Sequence, residues 1–142
     1  MLRFPYRPEL VGVALRWRPL TRVEIIAPLG RRRYKALLDP GSDDTIFPLA
    51  IARRIGVTLR PETGETLRWR GQRYPLRFGN VDLELTDNIA VLRWPAIVGF
   101  SAAPIPYVLL GTRGCLQFFD VTFRGDNRIV EIEPNRAYPG TT

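Results

Sequence analysis

The sequence predicts an all-β fold with one short helix. Short segments of apolar or alternating residues recur along the chain, and turns rich in Gly, Pro or Asn separate them. Only the stretch around residues 48–56 has the spacing of an amphipathic helix. With 142 residues, 45% of them hydrophobic, the chain is long enough to bury a core as a single domain.

Three strands are predicted before the helix, over residues 11–17, 23–27 and 34–38. The first lies in an N-terminal extension, residues 1–19, which precedes a main domain over residues 20–134. Because the third strand leads directly into an acidic loop, it is the element that positions the first candidate functional residue.

The helix follows that loop. Pro48 suits its first turn, Ile51 and Ile55 lie four positions apart on one face, and Gly56 suits its C-terminal end. These signals predict about two turns of helix with one buried face.

A β-hairpin is predicted over residues 65–79. If Gly71 and Gln72 form a two-residue turn, Trp69 faces Tyr74 and Leu67 faces Leu76 on one side of the hairpin. Arginines occupy the other side, with Arg70 opposite Arg73. The apolar side either packs on the core of the protein or covers a ligand, and the sequence leaves both interpretations open.

The second half of the chain is also predicted to form strands. They cover residues 81–85, 88–98 with an interruption at Pro95, 107–111, 119–123 and 129–132. Residues 135–142 are predicted to be a loose tail.

Composition excludes several classes of enzyme. The chain has no histidine, and Cys115 is its only cysteine, so it has no Ser-His-Asp or Cys-His couple and no conventional zinc site. Any acid–base chemistry would therefore fall to carboxylates, and neither a metal nor a cofactor is expected.

The net charge of +7 comes almost entirely from arginines spread along the chain. Such a balance could suit nucleic acid, but the dispersed arginines favour a solvated surface and make a nucleic-acid partner unlikely. No apolar run approaches the ~20 residues that cross a bilayer, and the start of the chain is a poor signal peptide. We therefore expect a cytoplasmic protein without a membrane partner.

The most informative stretch is the acidic loop Asp39-Pro40-Gly41-Ser42-Asp43-Asp44-Thr45 after the apolar residues Ala36-Leu37-Leu38. Pro40 favours an extended backbone at Asp39, and Gly41 can adopt angles closed to other residues. The result is a rigid turn that presents one carboxylate at the end of a strand. Asp-Pro-Gly by itself is most often a simple turn, so the neighbouring residues decide its meaning.

The loop resembles the active-site loop of retropepsin-like aspartic proteases, in which an apolar strand leads into Asp-Thr/Ser-Gly-Ala/Ser and then often Asp-Asp-Thr. A second feature of that family, two apolar residues before a glycine, is present as Leu109-Leu110-Gly111. The resemblance covers residues 20–134. It implies a retropepsin-like closed β-barrel with one short helix, whose half-site is completed by homodimerisation.

The resemblance also implies roles for individual residues. Asp39 and its copy in a second chain would activate a water that hydrolyses a peptide bond, at a mildly acidic optimum, and Gly41 would hold the carboxylates through its backbone N–H. Asp43 would order the peptide or protein substrate and pair with Arg113 beyond Gly111. Asp44 is expected to be only a loop or helix-start acid.

The glycine-tipped hairpin with one apolar face resembles the flap of this family, which closes over a bound peptide, and this implies that Trp69, Gly71 and Tyr74 contact the substrate. Pro40 departs from the family pattern, because it lacks the hydroxyl that links the two loops across the dimer, and Ser42 is the nearest substitute. Two alternatives stay open: a catalytically impaired peptide-binding or assembly module of the same fold, and a basic β-barrel that binds nucleic acid.

Overall fold

The computed structural model describes residues 1–141, and the prediction of an all-β fold with one helix is confirmed for that part of the chain. The strands are β1 (Leu2–Pro5), β2 (Arg7–Val11), β3 (Ala14–Arg18), β4 (Leu20–Ala27), β5 (Gly30–Leu38), β6 (Ile46–Pro48), β7 (Thr66–Trp69), β8 (Gln72–Pro75), β9 (Arg77–Thr86), β10 (Val91–Ser101), β11 (Val108–Leu110), β12 (Phe119–Arg124) and β13 (Ile129–Pro134). The helix is α1 (Leu49–Ile55), and a 3₁₀ turn covers Leu116–Phe118.

Six strands close into a barrel in the order β10-β6-β11-β5-β4-β9. The pairs β5–β11 and β6–β10 are parallel, whereas β4–β5, β4–β9 and β9–β10 are antiparallel. Closure leaves the barrel without a free edge. The predicted closed barrel is therefore confirmed.

The barrel is filled from alternate positions of its strands. Its largest fully buried side chains include Trp94, Phe47, Phe100, Ile25, Leu38, Leu83, Leu85 and Leu110. The indole of Trp94 donates to the carbonyl of Gly114 at 2.8 Å, which satisfies its buried N–H. This core holds β5 and β11 side by side, and both lead into the acidic loop region.

Helix α1 covers one part of the barrel, as its spacing predicts. Ile51, Ala52 and Ile55 are buried, and the chain leaves the helix through Gly56 at φ +80°. A left-handed conformation of this kind favours glycine at a helix end. The helix lies against β5, β6 and β10.

The N-terminal prediction was wrong in detail. The apolar segment 11–17 is not one strand, because the turn at Gly12 and Val13 divides it between β2 and β3. These two strands form a hairpin outside the barrel, and β1 pairs with β13 in a separate three-stranded sheet with β12. Gly12 has φ +64°, which explains why the chain reverses there.

Pro95 does not interrupt its strand. It lies opposite Asp82 within a continuous β9–β10 pair. Pro95 has no backbone N–H to donate. The parallel partner of β10, strand β6, pairs only with Gly99–Ser101, so no second strand needs a hydrogen bond from the backbone of Pro95.

The C-terminal residues up to 141 pack against the barrel instead of forming a loose tail. The Tyr138 ring contacts the Trp94 and Phe119 rings, with centroids 6.3 and 5.5 Å away. Thr141 and Arg93 exchange backbone hydrogen bonds of 2.9 and 3.3 Å. The part of the prediction that concerns Thr142 lies outside the described residues.

Across residues 1–141, no helix is long and apolar enough to cross a membrane.

Candidate active site around Asp39

Asp39 lies at the end of β5, where the barrel strand gives way to the acidic loop. Its backbone N–H donates to the carbonyl of Leu110 at 3.0 Å, which ties it to the neighbouring strand β11. Its half-buried carboxylate accepts the backbone N–H of Gly41 at 2.9 Å through Oδ1. The turn therefore fixes the orientation of the carboxylate, and Oδ2 takes no part in this hydrogen bond.

The loop carrying Asp39 is joined to the segment after β11 by a ladder of backbone hydrogen bonds. Thr112 N–H donates to Ser42 O at 2.9 Å, Arg113 N–H to Asp43 O at 2.9 Å, and Thr45 N–H to Arg113 O at 3.1 Å. The structure thus brings together the two motifs that the sequence singled out, 39–45 and 109–111. They are about seventy positions apart in the chain, and the parallel pairing of Leu37 with Leu109 places them side by side.

Gly111 is the position where the two segments approach most closely. A Cβ atom there would lie 2.2 Å from the carbonyl oxygen of Asp44 and 2.6 Å from that of Ser42. Both are backbone atoms that a side-chain rotation cannot move. Only glycine fits at this contact, which gives the sequence motif a steric reason.

Thr45 anchors the far end of the loop from inside the protein. Its side chain is fully buried, and its hydroxyl oxygen accepts the backbone N–H of Gly111 at 3.2 Å. Its carbonyl accepts from Gly99 of β10 at 2.8 Å. The loop is therefore held at both ends by the barrel, and Asp39 is placed by a rigid frame.

The expected pairing of Asp43 with Arg113 was wrong. Asp44, which we expected to be a simple loop acid, accepts from Arg113 Nε at 2.7 Å, whereas the side chain of Asp43 is exposed. An isolated parallel bridge pairs residue 44 with residue 113, so the extra residue Thr112 shifts the partner by one position. Asp44 is thus the acid that links the two segments.

The guanidinium of Arg113 also organises the neighbouring surface. It lies over the Phe78 ring, 4.5 Å from its centroid, and its Nη2 is 3.9 Å from Glu65. A cation over an aromatic face is favourable. Arg113 therefore connects the acid loop to β9 and to the base of the β7–β8 hairpin.

The hydroxyl of Ser42 is used within its own loop, because it donates to the carbonyl of Asp44 at 2.7 Å. Its proton is consequently not free for the substitute role that the sequence suggested. Pro40 is exposed beside it. The tip of the loop offers neither a hydroxyl nor an N–H at position 40.

A second apolar cluster, separate from the barrel core, lies next to Asp39. Its buried members are Ile46, Leu76, Phe78 and Leu109, and the half-buried members packed against them are Leu37, Leu67, Ile97, Ile105 and Tyr107. We call these nine residues the apolar strip. Sequence reasoning missed it, although one signal was present: β5 is apolar on both faces at Ala36-Leu37-Leu38, which indicates that its outer face is also covered or used.

The β7–β8 hairpin has a different turn from the one predicted. Arg70 and Gly71 form it, with φ of 49° and 80°, so Leu67 faces Tyr74, and Trp69 faces Gln72. Positive φ at both central residues is typical of a type I′ turn. The predicted pairings of Trp69 with Tyr74 and of Leu67 with Leu76 were wrong, because each partner lies two residues earlier in the chain, and the directly opposed arginines are Arg68 and Arg73.

The same residues nevertheless share the apolar face of the hairpin. Leu67 reaches the apolar strip and Tyr74 lies directly opposite it, whereas Trp69 and Gly71 lie farther along the hairpin towards its tip. The Arg70 guanidinium lies 5.5 Å from the Trp69 ring centroid, and the Tyr74 hydroxyl donates to Gln72 at 2.8 Å. The hairpin is thus attached to the strip through Leu67, and the half-buried rings of Trp69 and Tyr74 continue its apolar face.

The chemistry available at this site is that of carboxylates. Within residues 1–141, no group of three or more His, Cys, Asp or Glu side chains is arranged to hold a metal ion. Cys115 is fully buried, and burial raises the pKa of its thiol far above the ordinary value. A buried, protonated thiol is not a nucleophile, so Asp39 remains the group on this surface best placed for acid–base work.

A cleft of about 670 Å³ lies elsewhere, between the β2 strand and the outer surface of β4, β5 and β9. Its lining carries positive side chains, among them Arg22, Arg33 and Lys35, and negative ones, among them Glu9 and Glu24. Asp39 does not line this cleft. It is therefore separate from the acidic loop.

No protein-family model matches the chain, and no curated protein matches it. Function is therefore inferred from the geometry around Asp39.

Proposed function

We propose that the chain is an aspartic endopeptidase of the retropepsin type, which hydrolyses peptide bonds as a homodimer. The observation that supports this most directly is the locked arrangement of Asp39, Gly41 and Gly111 beside the apolar strip. A rigid carboxylate next to an apolar surface suits a peptide whose scissile bond is flanked by hydrophobic side chains. Both parts come from elements that the barrel holds in place.

A single chain offers one such carboxylate, and the proposed reaction needs two. A two-fold axis through the loop would bring Asp39 of each chain together. Two carboxylates that meet in this way share one proton, since both cannot readily carry a negative charge. The pair then contains one base and one acid.

The division of labour follows from that shared proton. The ionised carboxylate accepts a proton from a water, whose oxygen attacks the peptide carbonyl carbon. The protonated carboxylate donates to the carbonyl oxygen as negative charge develops there. In the collapse of this tetrahedral intermediate, the C–N bond breaks and the amine leaves with a proton returned from the pair. The Gly41 N–H holds Oδ1 of each Asp39 throughout, which leaves Oδ2 to handle the protons.

The β7–β8 hairpin would close over the bound peptide as a flap. Its apolar face is continuous with the apolar strip through Leu67, and Trp69 and Tyr74 extend that face. Closure would exclude water and strengthen the electrostatic interactions at the acids.

The test is cleavage of a denatured protein substrate between mildly acidic and neutral pH, with and without pepstatin. Asp39→Asn should reduce the rate by about 10²–10⁴-fold, the usual contribution of a positioned acid or base. Asp126→Asn is the matched control, because Asp126 is exposed in the distant β12–β13 turn and undergoes the same chemical change. Equal rates for Asp39→Asn and the unmodified protein would refute the proposal.

A second candidate function is favoured by one observation, the proline at position 40. Without a hydroxyl or N–H there, the two loops cannot be linked at this residue, and the same fold would serve as a peptide-binding or assembly module with little or no catalysis. A dimer that cleaves nothing at any pH supports this alternative. Pro40→Thr would then be expected to tighten the dimer.

A further inference from the structure

The cleft of about 670 Å³ between β2 and the barrel has the size of a site for a small organic molecule, since such sites commonly enclose about 300–1,000 Å³. Residues of β1 and β2 line it together with outward-facing residues of β4, β5 and β9. Asp39 lies outside it, so a ligand bound there is separate from the proposed cleavage of peptides. The charges of the lining indicate which ligand fits.

The glutamates of the lining already have partners. Arg31 bridges two of them, because its Nε donates to Glu24 at 2.6 Å and its Nη2 donates to Glu84 at 3.3 Å. Arg31 itself is not part of the lining. The third, Glu9, lies 3.5 Å from the Nζ atom of Lys35. The negative charges of these three side chains are therefore compensated within the protein.

The aspartate of the lining is also occupied, whereas three of the arginines are not. Asp87 accepts backbone N–H groups at 2.9, 3.0 and 3.1 Å. Within residues 1–141, the guanidinium groups of Arg7, Arg22 and Arg33 form no ion pair and no hydrogen bond. The carboxylate opposite Arg33 in the β4–β5 register is that of Glu24, which is already hydrogen-bonded to a residue outside the lining. The cleft therefore presents positive charges that its own acids do not neutralise.

The register of β4 and β5 places two of these arginines close together. Val23 and Ile25 are buried in the barrel, so alternation turns Arg22 to the outer face. There it lies directly opposite Lys35, with Arg33 as its diagonal neighbour on β5. Diagonal neighbours are about 7–8 Å apart, so two long side chains can reach one ligand, and like charges directly opposite each other are destabilising. A bound anion would relieve this repulsion.

The chemistry of the guanidinium group favours phosphate as that anion. Its planar fork of N–H donors matches a pair of phosphate oxygens, and the hydrogen bonds are strengthened by both charges. A phosphate monoester carries close to two negative charges and three acceptor oxygens. It can therefore accept hydrogen bonds from two or three arginines at once.

The cleft also has an apolar part, because Pro8 and Leu10 of β2 line it beside the arginines. This surface suits an organic group attached to the phosphate. We infer that the cleft binds a small phosphate monoester, whose phosphate is held by Arg22 and Arg33 with Arg7 reaching it from β2, and whose organic group lies against Pro8 and Leu10. The inference does not rest on the proposed function.

The first test is isothermal titration calorimetry of the full chain at low ionic strength, with phenyl phosphate, inorganic phosphate and phenol as probes. Phenyl phosphate should bind about tenfold or more tightly than inorganic phosphate, because its ring is removed from water. Phenol lacks the charge and should not bind measurably. Equal affinities for the two phosphates would make the free ion the ligand and overturn the monoester. Phenol binding as tightly as phenyl phosphate, or no binding of phenyl phosphate at about 10 mM, would overturn the anion site.

The second test compares two double variants with phenyl phosphate as the probe. Arg22→Gln/Arg33→Gln should raise the Kd by about tenfold or more, as expected for the loss of at least one charge-assisted hydrogen bond. Arg68→Gln/Arg73→Gln is the matched control, since these arginines also face each other across two strands but lie outside the cleft. It removes the same charge and should change the Kd by less than about threefold, because distant exposed charges are screened.

A rise of similar size in both variants would show that binding follows net charge alone and would overturn the site, as would an unchanged Kd in Arg22→Gln/Arg33→Gln. A Tm within about 3 °C of the unmodified protein shows that each variant keeps its fold, as expected for exposed positions. Arg7→Gln tests the β2 side of the cleft by itself and should raise the Kd by about threefold or more. An unchanged Kd in this variant would overturn the role of Arg7.

Discussion

Replacing Gly111 by alanine tests whether the acidic loop is held by a close backbone contact. The added Cβ would lie 2.2 Å from Asp44 O, 2.6 Å from Ser42 O and 2.7 Å from the carbonyl carbon of Asp44. These atoms belong to the loop that carries Asp39. Either the loop or the segment after β11 must move to admit one methyl group.

The cost can be worked from that geometry. Forcing an extra methyl into a packed site costs about 1–3 kcal/mol. Movement of the loop would also weaken hydrogen bonds such as Thr112 N–H to Ser42 O and Gly111 N–H to Thr45 Oγ1, each contributing about 1 kcal/mol. A total loss of about 3–5 kcal/mol follows, which in a domain of this size lowers Tm by roughly 10–15 °C.

Gly125→Ala is the matched control, because a Cβ at Gly125 in the β12–β13 turn has no neighbour within 4 Å. Its stability should change by less than about 1 kcal/mol. Urea denaturation and thermal unfolding of both variants would measure the difference, and proteolytic activity should fall only for Gly111→Ala. If the two variants unfold within about 1 kcal/mol of each other, a margin comparable to ordinary surface effects, the close contact does not hold the loop.

Three further predictions concern groups around this frame. Thr45→Val should destabilise the protein by about 1–3 kcal/mol, because it leaves the N–H of Gly111 without its acceptor, and an unchanged urea midpoint would contradict this. The Cys115 thiol should resist a disulfide reagent at neutral pH in the native protein and react fully after denaturation, since burial raises its pKa; rapid native labelling would refute it. The hydrogen bond from Arg124, assisted by Arg3, lowers the pKa of Glu131 below its usual value of 4.5. Its folded pKa is therefore below the unfolded one, so its stabilising contribution is present above pH 4.5 and is lost as the pH falls through the folded pKa. The urea midpoint of Glu131→Gln should consequently fall less steeply with acid than that of the unmodified protein, and identical slopes would count against the ion pair.

Most strands could be predicted because each leaves a local pattern. The alternation at Val81–Leu85 corresponds to β9, and the apolar run before Asp39 corresponds to the end of β5. Errors occurred where two strands follow each other closely and the residues of the turn between them were not identified correctly. The turn at Arg70 and Gly71 was missed because arginine is an unusual residue at positive φ, and the register of the hairpin shifted with it.

The C-terminal residues show the limit of composition as a guide. The stretch after Pro134 has few apolar residues and several turn formers, which predicted a loose tail. Tyr138 nevertheless packs against the rings of Trp94 and Phe119. A single aromatic side chain can attach a polar segment when a matching site exists on the barrel, and no local pattern reveals such a site.

The sequence by itself determined the strand-rich fold, the short helix, the absence of histidine and disulfide chemistry, and the presentation of Asp39 on a rigid turn, since all of these depend on composition or on residues adjacent in the chain. The tertiary structure alone decided that Asp44, not Asp43, binds Arg113, that Gly111 touches the loop backbone, and that an apolar strip lies beside Asp39. Those outcomes depend on the register between β5 and β11, whose residues are about seventy positions apart. Such a register is set by the packing of the whole barrel.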